Sequence, residues 1–573
     1  VRTTQLTTPL FFFMSCLFVS GACIEKNTAD LIRELESVRD TSDELPTLSL
    51  LIARGDAESL KGLIDSYLRT PSSSIYRAIV EFDSRSALPV HLLCLNVSDS
   101  RQSREDMLIA LQSIDNILRD ETTTRLPPED LSAIDKNIIQ YLQKEKNSVA
   151  DTDNDLKLTA IRTLSIRMKT YPNMPLSNEV SIELMRIAQR SAKQQNFWLA
   201  RESILLLGTT GEEIVLPLLV ESLFRSSKTY GSSFFDARIG LARFGSIAAD
   251  FLDRVLASKN DQLNRFFKKR DIKDFTRLSR IAISLGDLHT SKAMGLLVAQ
   301  VTDVHSKRSI RISGILETIG RLGLKQARGQ LVLLASDQQA NHISRRHALS
   351  ALRYIGDYRI VSKMIELFLN QSDAREVRYN AIAVAAMLAS KKQLQAVSAA
   401  LNSVSQNTVS ARDDTVAEGA LKSARIYLDE SERCGGELSC FVSALKSESS
   451  DVDSINFSAI SLLRIRNGYT SLSALAEALG RIADDDKRVV LTVIERLIGH
   501  PKSELADLKQ LLSVVNGSVR NDTVFENKKK QVFLGDENQL RLRLLSIRLN
   551  HIVSDRQASL TQQVAKKKSL KEK

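Results

Sequence analysis

The feature that most constrains this chain is a short apolar pattern that keeps returning. A small or branched apolar residue is followed four and eight positions later by two more, and often then by Gly. It reads Leu156-Lys-Leu-Thr-Ala160-Ile-Arg-Thr-Leu164 in one place and Ala348-Leu-Ser-Ala-Leu352-Arg-Tyr-Ile-Gly-Asp357 in another. Apolar residues at i, i+4 and i+8 make one stripe of an α-helix. The central residues of ten such stripes are Ala160, Ser203, Ala237, Ile281, Gly314, Ala348, Ala381, Ala420, Ala459 and Val493, spaced 33 to 44 residues apart. Repeats of that length built of two helices are the signature of stacked helical hairpins. The small residue in mid-stripe lets the neighbouring helix approach closely.

Second helices fit between the stripes, over 214–224, 247–256, 293–301, 360–368 and 472–479. Composition agrees. The chain is 43% hydrophobic but only 5% aromatic, with 10 Pro and 23 Gly in 573 residues. That mix suits aliphatic packing between helices better than a β-sandwich. The expected fold class is therefore all-α, with helix pairs stacked into an elongated rod in which each pair contacts its neighbours.

Val377-Arg378-x-x-Ala381 and Gly356-Asp357 carry a closer likeness. They resemble the HEAT-repeat family, and in particular its bacterial variety related to phycobilisome-lyase repeats. One helix of that variety reads Val-Arg-x-x-Ala-x-x-Ala-Leu-Gly-x-x-Gly-Asp. The resemblance covers about residues 150–500 and implies a right-handed α-solenoid of HEAT-like hairpins. Tetratricopeptide arrays fit less well, because Trp198 is the only tryptophan.

The chain divides into four stretches. Residues 1–22 read as a signal peptide, with an apolar run from Leu10 to Ala22 that is too short to span a bilayer. Residues 23–150 read as a tether and an N-terminal helical cap or divergent repeats. Residues 151–500 hold the HEAT-like array, and 501–573 a loop, a closing helix over 540–549 and a basic tail. Small residues before Cys23 resemble a bacterial lipoprotein box, in which Cys23 is lipidated. Ordinary cleavage after Ala22 fits the same residues.

Cys434 and Cys440 flank a turn with two glycines and are expected to form a disulfide in an oxidising compartment, two free thiols being the alternative. Cys94 lies in an apolar run and reads as a buried small hydrophobe.

Motifs that carry chemistry are not found. Asp151-Thr-Asp-Asn-Asp155 begins like a calcium loop, but Leu156 stands where the turn needs Gly and Arg162 where the ligand set needs Glu. The seven histidines show no H-E-x-x-H spacing, and no Walker, G-x-S-x-G or G-x-G-x-x-G sequence occurs. No cofactor, metal or catalytic residue is assigned. The formal charge is +11, with both signs interspersed. Lys268, Lys269, Arg270, Arg308, Arg311, Arg345, Arg346, Arg375 and Arg378 are candidates for one basic binding face, solvated helix faces being the other reading. An export signal and interspersed acids argue against nucleic acid as its partner. The reading is a non-catalytic scaffold of the bacterial cell envelope, periplasmic or lipid-anchored to the membrane, that binds protein partners. A lyase-like enzyme or accessory subunit on the same fold is the alternative, and a nucleic-acid-binding protein if the signal peptide is misread.

Overall fold

The computed structural model describes residues 26–39, 41–96, 103–120, 125–144, 151–193, 197–227, 231–302, 312–403, 415–465, 467–519 and 537–571. The apolar leader, Cys23, Arg308 and Arg311 lie outside them. Among the described residues the protein is helical apart from one two-residue antiparallel ladder, Ser226–Ser227 with Gly231–Ser232. No described helix is long and apolar enough to cross a membrane. The chain forms two units, Val1–Glu212 and Glu213–Lys573. Their boundary falls inside 151–500, the stretch read from sequence as one array.

The first unit contains α1 (Thr28–Ser37), α2 (Glu44–Arg54), α3 (Ala57–Arg69), α4 (Ser73–Val80) and α5 (Leu88–Asn96). It continues with α6 (Arg104–Arg119), α7 (Pro128–Lys144), α8 (Asp151–Thr170), α9 (Asn178–Lys193) and α10 (Phe197–Leu207). From α1 to α10, each helix touches the next but one, and most touch the next. This succession of contacts begins well before residue 150. Local chemistry sets the helix starts. Ser103 and Asp106 form a reciprocal capping box at the start of α6, each side chain accepting from the other's backbone N–H. The would-be calcium loop, Asp151–Asp155, is the first part of α8.

The second unit opens with α11 (Leu216–Ser222), α12 (Phe234–Phe244), α13 (Ser246–Leu256), α14 (Asp261–Lys269), α15 (Asp274–Leu288) and α16 (Ser291–Thr302). Next come α17 (Ser313–Leu322), α18 (Arg328–Ser336), α19 (His342–Ile355), α20 (Val361–Leu369), α21 (Arg375–Leu388) and α22 (Leu394–Asn402). It ends with α23 (Thr415–Cys434), α24 (Leu438–Lys446), α25 (Val452–Leu462), α26 (Leu472–Arg481), α27 (Arg488–Leu497), α28 (Leu505–Ser518) and α29 (Glu537–Lys571). One layer runs through consecutive contacts α12–α15–α17–α19–α21–α23–α25–α27–α29. The alternate helices, including α16 with α18, α20 with α22, and α24 with α26 and α26 with α28, lie in a second layer.

The first layer carries the stripes read from sequence. Ala237, Ile281, Ala348, Ala381, Ala459 and Val493 are fully buried there, as are Ala160 and Ser203 in the first unit. Ala420 departs from this. It is only half-buried and Val416 is exposed, while Ala417 and Ala424 are fully buried. The buried stripe of α23 is Ala417, Ala424, Tyr427 and Leu428, a seven-and-four spacing that the four-and-four template mistakes.

Two contacts set this unit apart from an array that touches only its neighbours. Helix α17 packs on α27, and α12 packs on α29. Early and late helices of the unit meet, and the closing contacts are polar.

Candidate functional site

The polar side chains fall into three groups, and the first links one repeat to the next. Arg345, near the start of α19, is bidentate to Asp373 at 2.5 Å for each bond and donates Nε to the Ala335 carbonyl at 2.9 Å. In the following repeat Arg378 donates Nε to the Phe368 carbonyl at 2.8 Å. Each arginine thus ties down the last turn of the helix preceding it. The Gly-Asp pair has a matching task. Gly356 takes the left-handed φ of +77° that ends α19, and Asp357 accepts the Arg359 backbone N–H at 3.0 Å and binds the Arg328 side chain. Its carboxyl is held well below the usual range, first by the Arg359 side chain.

The second group closes the unit. Arg238, fully buried in α12, is bidentate to Asp287 at 2.6 and 3.1 Å and to Glu537, the first residue of α29, at 2.6 and 2.8 Å. Arg321 of α17 adds a bond to Asp287 at 2.8 Å. Four residues along α29, Arg541 binds Glu495 of α27 at 2.8 Å, Thr492 Oγ1 at 2.9 Å and the Arg488 carbonyl at 3.0 Å. Arg548 donates to the Glu495 carbonyl at 2.7 Å and lies 3.2 Å from His289 Nδ1. Around these charges Leu542, Leu545 and Leu549 of α29 are buried.

Electrostatics keeps the group ionised. Burial pushes the Asp287 carboxyl up, but Arg238 and Arg321 outweigh it and hold the group below its ordinary value. The same contest at Glu495 is decided by Arg541 and Arg321. Burial, with Arg548 beside it, pushes His289 down to about 3, so its ring is neutral. A cavity of about 240 Å³ lies against Asp287, His289, Arg321, Glu495 and Arg548. A carboxylate locked in charge-assisted bonds is a poor proton acceptor. These groups hold helices together.

A third group lines a larger cavity of about 590 Å³ near the C-terminal ends of α19, α21, α23 and α25. Lys325, Arg359, Lys391 and Arg464 face it, with Asp357 the one carboxylate of its lining among the described residues. Among the described residues, no three His, Cys, Asp or Glu side chains come together as a metal site.

The basic face expected from sequence is not one surface. Arg345 and Arg378 are buried, 3% and 7% exposed, and their donors are used inside the fold. Arg346 is half-buried and bound to Glu376 at 2.9 Å. Lys268, Lys269 and Arg270 are exposed at the end of α14, and Arg375 at the start of α21. The correction is physical: an arginine whose fork meets a carboxylate and a helix-end carbonyl is a strut, whatever its charge suggests. Cys434 and Cys440 form a disulfide, with Cα atoms 5.4 Å apart, and Cys94 is a buried thiol.

Sequence reading overlooked Arg238, Asp287, Arg321, Glu495, Glu537 and Arg541. The one local signal was a cation set inside an apolar run, as in Ala237-Arg238-Ile239 and Leu540-Arg541-Leu542. No protein-family model matches the chain, and no curated protein matches it.

Proposed function

We propose that the chain is a non-catalytic scaffold built as a right-handed solenoid of HEAT-like hairpins, which binds protein partners along the surface of its repeats. The observation that supports this reading is the succession of contacts between helices close in chain order that runs through each unit. Such arrays present long surfaces relative to their core, and partner binding is what those surfaces serve. The repeat-to-repeat links at Arg345–Asp373 and Arg328–Asp357 support the same reading. So does the second group of charges, whose acids are tied to arginines in bonds that brace the fold.

The scaffold belongs to the bacterial envelope in this proposal, exported by residues 1–22 and either lipid-anchored at Cys23 or released into the periplasm. The Cys434–Cys440 disulfide supports an oxidising compartment. Crosslinking in intact cells, followed by mass-spectrometric identification of what is captured, tests the function. Recovery of the same envelope proteins by crosslinkers placed at several repeats is expected. Capture of nucleic acid alone, or of nothing, overturns the scaffold. Palmitate labelling that is lost in Cys23→Ser tests the anchor.

A further inference from the structure

We infer that the 590 Å³ cavity near the ends of α19, α21, α23 and α25 is a binding site for a small organic anion carrying two or more negative charges. Its size is that of small-molecule sites, which span about 300–1,000 Å³. The inference stands apart from the protein-partner reading, since it needs only the cavity and its lining.

The case starts from an imbalance of charge. Among the described residues four cations line the cavity against one carboxylate, and that carboxylate is already engaged. Asp357 accepts from Arg359 at 2.8 to 3.2 Å and also binds Arg328. Lys325, Lys391 and Arg464 remain, and among the described residues none of the three is ion-paired. Cations are favoured at the carbonyl ends of helices, and that accounts for some of the excess.

It does not account for Arg464. This side chain is half-buried, and its Nε is buried without a hydrogen-bond partner. Among the described residues its one hydrogen bond goes to the Ser461 hydroxyl at 3.1 Å, a neutral acceptor. Burial pushes its guanidinium down to about 10, with no carboxylate to hold it up. The braced arginines elsewhere differ in kind: Arg238, Arg321, Arg345 and Arg541 meet carboxylates, and Arg378 and Arg548 meet helix carbonyls. A partly desolvated cation met only by a neutral hydroxyl is costly unless an anion joins it.

The rest of the lining suits an oxyanion. Ser431 and Ser461 supply hydroxyls, and the disulfide-closed turn supplies the main chain of Gly436, whereas the Ser390 hydroxyl and the Gly435 N–H are already given to Gln393 Oε1 and the Ser431 carbonyl. A planar guanidinium beside flexible ammonium groups recognises phosphate and carboxylate alike. The shared chemistry is therefore an organic phosphate or a polycarboxylate.

Isothermal titration of the full chain at low ionic strength, with pyrophosphate and citrate as separate probes, tests this. Saturable binding of at least one probe at one site per chain is expected, weakening as salt is added. Pyrophosphate alone points to phosphate esters, citrate alone to polycarboxylates, and both to a pocket that selects by charge. Arg464→Gln is expected to weaken binding at least tenfold. The exposed pair Lys325→Gln/Lys391→Gln is expected to do so severalfold, and serves if Arg464→Gln disturbs the fold. Lys268→Gln/Lys269→Gln, at the exposed end of α14, is the control that leaves affinity unchanged. The site is overturned if neither probe binds saturably, if the pocket variants bind as the parent does, or if the control loses as much as they do.

Discussion

A guanidinium that braces this fold does so in one of two ways: through a carboxylate, or through the carbonyls at a helix end. Arg238 takes the first way and pins two acids from α15 and α29 at once. Its removal strands Asp287 with Arg321 alone and frees Glu537, so Arg238→Leu is expected to cost about 3–5 kcal/mol in urea unfolding. Arg464→Leu leaves no carboxylate behind, and is expected to change stability by less than about 1 kcal/mol under the same assay. Charge alone did not separate such positions in the sequence. Arg345 and Arg375 look equivalent there, and only the placement of Asp373 beside one of them makes it a strut. Histidine offers a pH test in the first unit. His91 is buried against Tyr76 Oη, 3.0 Å from Nδ1, and burial pushes it down to about 4. Between that value and about 6.5 the unfolded chain takes up a proton that the folded one refuses. Stability therefore falls as pH drops through this window and levels off below it. Relative to His91→Asn, the wild type is expected to lose about 3 kcal/mol on going from pH 7 to pH 4, read from urea midpoints.

Helices pack closely where a residue without bulk faces a neighbouring backbone. Gly320 of α17 is such a place: a Cβ there would stand 2.7 Å from Ala351 Cα in α19, and backbone cannot step aside as a flexible side chain can. Gly320→Ala is expected to destabilise by about 1–3 kcal/mol despite alanine's better helix propensity. Gly329, in the first turn of α18, has nothing within 4 Å of an added Cβ, so Gly329→Ala is expected to stabilise by up to about 1 kcal/mol. Thermal unfolding of the two variants, which share one chemical change, separates packing from propensity. Most elements of this kind were legible because the forces that form them are local. Apolar spacing announced the first-layer helices, and Gly356 followed by Asp357 announced a helix stop. The helices before residue 150 were legible only as a helical cap or divergent repeats, since they keep the helical period without the four-and-four pattern: Gly62, buried in α3 against Ile32, has Glu58 and Ser66 four residues to either side. In α23 the alternative spacing of small residues, Val416 and Ala420 against Ala417 and Ala424, fitted the template while facing the wrong way.

Contacts far apart in sequence decide how the second unit behaves as a body. An array held only by neighbours can open one repeat at a time, because each interface is lost separately. Here Arg238 meets Glu537 across 299 residues, and α17 meets α27 through helix packing and the Arg488–Glu317 pair. No periodicity could forecast that, since a repeat pattern states what each hairpin does with the next and is silent on distant ones. Closure couples early and late helices: α12 and α15 cannot open without releasing α29, and α27 loses one of its partners when α29 leaves. Native-state hydrogen exchange should therefore show α12, α15, α27 and α29 opening together, with one shared dependence on denaturant. Weakening the clamp with Glu537→Gln, whose side chain is 42% exposed and so replaceable without a cavity, is expected to lower protection in α12 and α29 by similar amounts. The middle helices α19 and α21, braced by Arg345 and Arg378, are expected to change little. If protection falls in α29 alone, the ends are not energetically joined, and the unit opens as a string of independent repeats.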